Sequence, residues 1–145
     1  VTPRRAASDE HYVLDLCDDI LGLTALRQHR FDWLRGDPSP SRPRGTTLPV
    51  DAFYPELGLV VEYAERQHDD AVPFFDKTDR MTVSGVHRGL QRALYDQRRR
   101  DLIPQHDLRL LTISAHDLDV DHRGRLRRNA EADRFVLAAL LVSGS

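Results

Sequence analysis

The chain has 145 residues, 40% hydrophobic and 30% charged, with a net charge of -2 at pH 7, which suits one domain with its own core. Its longest apolar run, Phe135 to Val142, has eight residues, far short of the roughly 20 that cross a bilayer as a helix, so no membrane association is expected. The near-neutral balance excludes a polycationic nucleic-acid coat; any nucleic-acid contact needs locally concentrated basic side chains.

Residues 1–7 carry two arginines with no apolar stretch behind them, so they do not read as a secretory signal, and the expected compartment is cytoplasmic. A helix is expected over 8–29. Ser8 can cap it, Asp9 and Glu10 suit its first turn, and Val13, Leu16, Cys17, Ile20 and Leu21 recur at helical spacing. Cys17 is the single cysteine, which excludes a disulfide framework, and it belongs on that apolar face. Arg30–Leu34 alternates as a strand. Residues 35–47 hold three prolines, two glycines and three arginines, a loop composition. Leu48–Tyr54 and Leu59–Glu65 read as strands joined by the turn Pro55-Glu56-Leu57-Gly58. Residues 66–81 are polar and irregular. A helix over about 85–101 would face inward through Val86, Leu90, Ala93/Leu94 and Gln97, with Pro104 just past its end. Leu108–Ser114 is a strand, 115–128 a charged connection, and about 129–142 a last helix. The fold class is therefore α/β, a single three-layer domain over 1–145 with the order α-β-β-β-α-β-α.

The hairpin carries the chemistry. With Tyr54 opposite Leu59, the register puts Asp51 directly opposite Glu62 on one face, with Cβ atoms about 5 Å apart. Leu59, Val60 and Val61 make the second strand apolar on both faces, hence central. A carboxylate pair on a buried strand requires a cation, a proton or an arginine. A hard divalent ion, Mg²⁺ or Mn²⁺, satisfies the first option. Pairing to arginine, or a more exposed hairpin, satisfies the others.

These residues resemble a known family. An acid on each of two adjacent strands, within VDAFYPELGLVVEYAERQH, is similar to the motif of the PD-(D/E)xK nuclease superfamily. The likeness is to its small bacterial branch near the very-short-patch repair endonucleases. It covers about residues 8–114. In that likeness Asp51 matches the first acid and Glu62 the second. Gln67 and His68 match a Gln-His pair, Asp96 and Arg99 an Asp-x-x-Arg, and Glu10 the further acid that several families place on the first helix. The resemblance implies a restriction-endonuclease-like mixed sheet flanked by helices. It also implies Mg²⁺ or Mn²⁺ held by Asp51, Glu62 and Glu10, and hydrolysis of phosphodiester bonds, in DNA. Ala64 stands where the family has lysine. Gln67 by hydrogen bonding, His68 as base or ligand, or Lys77, the only lysine, would then manage the attacking water.

Arg88, Arg92, Arg99 and Arg100 on the expected second helix, with Arg42 and Arg44 in the loop, are the candidate phosphate contacts. The closing helix is apolar almost all round. It either packs across the sheet or makes a homodimer contact. Two functional classes follow: a metal-dependent endonuclease, or a catalytically impaired nuclease-fold module that binds nucleic acid or a protein partner.

Overall fold

A computed structural model describes residues 8–64 and 83–143. Helix α1 runs Asp9–Leu21. The Ser8 hydroxyl accepts the His11 N–H at 3.4 Å, and Asp9 and Glu10 occupy the first turn, where helical N–H groups favour negative charge. The helix stops eight residues short of the expected 8–29. Gly22 adopts the left-handed conformation (φ 67), and the Leu23 N–H returns to the Asp18 carbonyl at 3.2 Å, a glycine C-cap. Strand β1 therefore starts early and spans Leu26–Arg35.

Strands β2 (Thr47–Tyr54) and β3 (Leu59–Ala64) flank a 3-10 turn at Pro55–Leu57. Helix α2 is Val83–Gln105, β4 is Arg109–Ser114, and α3 is Ala130–Ser143. The sheet order is β1-β2-β3-β4, antiparallel for the first two pairs and parallel for β3–β4. The expected order α-β-β-β-α-β-α is the observed one. Central β3 is buried on both faces. Leu59, Val61 and Tyr63 pack with Val13, Leu14 and Cys17 of α1 and with Leu137 and Leu141 of α3. Val60 packs with Ile103 of α2, Leu34, Leu48 and Val50. Helices thus cover both faces of one mixed sheet. Burial pushes the Cys17 thiol up to about 12, as expected of an inert core cysteine.

One helix face differs from expectation. In α2, Leu90 and Leu94 are exposed, as are Ala93 and Gln97; Tyr95, Leu102 and Ile103 face the core instead. The helix continues past residue 101 with Pro104 in its last turn, where one missing N–H is tolerable, and its sheet-facing side is set by that C-terminal end. In α3, Leu137 and Leu141 are buried against the α1 side, while Phe135 and Val142 are 79% and 72% exposed. Tyr12 donates to the buried Asp133 Oδ2 at 2.5 Å and ties α1 to α3. Among the described residues no helix is long and apolar enough to cross a membrane.

The sheet breaks its own alternation beside Asp51. Arg27 turns to Asp15 and Asp18 of α1, yet His29, two residues on, packs its ring on Phe31 and Phe53. Between them Gln28 has φ 52, a left-handed backbone that costs a non-glycine residue on the order of 1–3 kcal/mol. In β2, Val50 belongs to the α2-side cluster and Ala52 to the other. Arg27 pairs with Ala52 and His29 with Val50, so the two switches stand opposite each other, at Gln28 and Asp51.

Candidate functional site

The β2–β3 backbone ladder ends at the pair Ala52–Val61. At the next step the two carboxylates take over. The Asp51 N–H donates to Glu62 Oε2 at 2.7 Å, and the Tyr63 N–H donates to Asp51 Oδ2 at 2.8 Å. Each side chain thus supplies the acceptor that the parted strand no longer offers. The register inferred from the turn is the observed one, and it brings both acids toward the C-terminal end of β3.

Their electrostatics follow from that lock. Burial, and then the like charge of Asp51, push Glu62 up to about 7, against the opposing pull of the Asp51 N–H and Arg99. Burial also raises Asp51, with the Tyr63 N–H, Arg99 and Gln28 holding it back. Arg99 Nε lies 3.9 Å from Glu62 Oε1, with both side chains less than a fifth exposed. The guanidinium is anchored elsewhere as well: Nε and Nη2 donate to the Pro49 carbonyl at 3.2 and 3.1 Å, and Nη1 to Asp96 at 3.0 Å. Two backbone N–H groups and one guanidinium therefore meet part of the pair's demand for positive charge. The remainder of that demand shows as a carboxyl that holds its proton near neutrality. A divalent cation suits the same donors, hard oxygens whose mutual repulsion it would relieve.

Glu10 approaches from α1, where Gln28 Nε2 donates to Glu10 Oε2 at 3.3 Å. Gln28 also sits across the β1–β2 pairing from Asp51 and helps to hold that carboxyl's pKa down. Among the described residues, no three His, Cys, Asp or Glu side chains converge closely enough to hold a metal ion. The candidate donor set is thus the Asp51–Glu62 pair, with Glu10 held by Gln28 on the neighbouring strand. Gln67, His68 and Lys77 lie outside the described residues.

The arginines divide. Arg88 and Arg92 are exposed on α2, and Arg100 is exposed and donates to Gln97 Oε1 at 2.8 Å. Arg42 and Arg44 are exposed in the β1–β2 loop, with Arg44 3.7 Å from Asp32. Arg99 points inward, and every contact described above is to the protein itself. Trp33, partly buried, stacks flat on His106 with ring centres 3.7 Å apart, which is packing between β1 and the turn that follows α2. Two residues escaped the sequence reading in their present roles. Gln28 sat inside the expected first helix, and only Gly22 signalled that the helix ended before it. Arg99, expected as part of the Asp-x-x-Arg match and as a phosphate contact, instead turns inward to Pro49, Asp96 and Glu62.

No family model matches the chain, and neither a curated protein nor a solved structure is significantly similar to it. The resemblance to PD-(D/E)xK nucleases therefore rests on the residues already named.

Proposed function

We propose that the chain is a metal-dependent nuclease that hydrolyses phosphodiester bonds, in DNA, at the Asp51–Glu62 pair. The observation that carries this reading is the interlocked pair itself: two desolvated carboxylates on adjacent strands, one of them raised to about 7. Perturbation by burial plus a specific like charge is the physical mark of a working site. Asp51 and Glu62 would hold Mg²⁺ or Mn²⁺, with Glu10 behind Asp51. When bound, such an ion polarises a phosphodiester and lowers the pKa of a water. Gln67, His68 and Lys77 join the proposal through the resemblance alone, as groups that would orient or deprotonate that water. Arg42, Arg44, Arg88, Arg92 and Arg100 are exposed and would contact phosphates. The test is calorimetric titration of Mn²⁺ beside a plasmid-nicking assay. The wild type should bind and nick. Asp51→Ala and Glu62→Ala should each lower the affinity by more than about 100-fold and abolish nicking, with unchanged circular dichroism. Nicking retained in both variants would remove the proposal.

A second reading has its own support. Ala64 carries no group able to orient water, and Arg99 already places a positive charge 3.9 Å from Glu62. On this reading the fold is a catalytically impaired module that binds nucleic acid. It predicts salt-sensitive DNA binding and no turnover with any divalent metal. Replacing Arg88, Arg92 and Arg100 by glutamine should then flatten the dependence of log affinity on log salt by about 0.9 for each phosphate no longer neutralised. An unchanged slope would exclude those arginines as phosphate-binding groups.

A further inference from the structure

We propose that Gln28 is a positioning residue for the Asp51–Glu62 site: its amide fixes the Asp51 carboxylate by tying it to Glu10 on α1. This rests on reading the carboxylate pair as a cation site. Three features meet at this one side chain. First, β1 crosses from one face of the sheet to the other here, with Gln28 at φ 52. Strand residues with side chains avoid that region, and a local break of this kind re-aims a side chain. Second, the pairing of Arg27 with Ala52 and of His29 with Val50 sets Gln28 across from Asp51. Third, its amide donates to Glu10 Oε2 at 3.3 Å, and the same side chain lies near enough to the Asp51 carboxyl to lower its pKa.

An amide offers two N–H donors on one rigid plane. One group can therefore hold carboxylates from two separate elements at a fixed separation. Asp51 Oδ2 is already held by the Tyr63 N–H at 2.8 Å. With the amide as a second restraint, the carboxylate would be fixed in rotation, and its remaining accepting capacity would face one direction. Partners of this kind, one bond removed from a cation, tune its affinity through the orientation of the ligand they hold. Glutamine suits this place because it is neutral. A basic side chain would compete with the cation, and an acidic one would repel both neighbours.

The test uses the full chain and Mn²⁺ alone as probe. Gln28→Gly keeps the left-handed backbone without strain and deletes only the amide side chain. Its Mn²⁺ affinity should fall about 10–100-fold, while its melting temperature is unchanged or higher. Wild-type affinity in this variant would overturn the proposal. A metal-free arm separates this idea from the cation reading. Gln28→Met and Glu10→Gln, singly and together, are followed by urea denaturation. Coupling through the amide predicts that the double variant loses no more stability than the larger single loss; additive losses overturn it. A wild type that binds no Mn²⁺ would sink the cation reading alone, and the metal-free cycle would still decide for or against Gln28.

Discussion

Glu62→Gln should make the metal-free protein more stable above pH 7, not less. Glu62 is a buried acid whose pKa in the folded chain, about 7, lies above its unfolded value. The folded state therefore holds the proton more tightly than the unfolded state. Stability is fully present below the unfolded pKa, falls as pH rises through the interval up to about 7, and is then flat. The displacement is worth up to about 3 kcal/mol, since each pKa unit is about 1.4 kcal/mol. Glutamine keeps an oxygen for the Asp51 N–H and removes the charge that repels Asp51. Denaturant unfolding from pH 5 to 8 should show a declining stability for the wild type and a much flatter profile for Glu62→Gln, the two diverging by about 1–3 kcal/mol at pH 8. Parallel profiles would mean that the pair is solvated. Millimolar Mn²⁺ should restore the wild type at pH 8, because a ligand bound only by the folded state stabilises it by mass action. It should leave Glu62→Gln where it was. Gain of stability with loss of cation binding in one substitution is the behaviour of a site held at the expense of the fold.

Asp18→Ala should be among the most damaging single changes in the chain, at about 3–5 kcal/mol. Asp18 Oδ2 accepts from Arg27 at 2.8 Å, and Oδ1 accepts the Tyr54 hydroxyl at 2.6 Å and the Ala25 N–H at 3.1 Å. Arg27 is only 17% exposed, and its Nε is already buried without a partner. Tyr54 is fully buried, and that burial, with the bond to Asp18, drives its hydroxyl well above the ordinary phenol range. Alanine would strand a phenol and a backbone N–H and leave the guanidinium with only the exposed Asp15 as its carboxylate partner. Asp18→Asn, which keeps an acceptor oxygen, should lose substantially less. Asp15 also pairs with Arg27, but it is 68% exposed, so Asp15→Ala should cost below about 1 kcal/mol. Urea midpoints of the three variants at pH 7 give the comparison. A loss for Asp15→Ala equal to that for Asp18→Ala would show that solvent reaches the whole network.

The parts of this molecule that were legible in its sequence are those governed by neighbours along the chain. Pro55 to Gly58 is turn chemistry, and Gly58 takes the left-handed conformation (φ 57) that the turn requires. That turn sets the β2–β3 register, and the register sets Asp51 against Glu62. The apolar run Leu59-Val60-Val61 marks a strand covered on both faces, and such a strand is central. These are short-range facts, expressed within a few residues by backbone geometry and side-chain period.

What only the tertiary structure decided lies where distant segments compete for the same atoms. The stripe of α1 continues past Gly22 in composition, yet the glycine cap ends the helix and passes Leu26 to His29 to an edge strand. Gln28 thereby moves from an expected helix to the strand position across from Asp51. The inward face of α2 follows Ile103 and Leu102 because the sheet lies under that end of the helix. Arg99 becomes a clamp on Pro49 and a neighbour of Glu62 because a long side chain reaches whatever the packing sets before it. Alternation and helical period are properties of one segment. Which face is buried, and which charge meets which, is settled by the desolvation of pairs that lie dozens of residues apart.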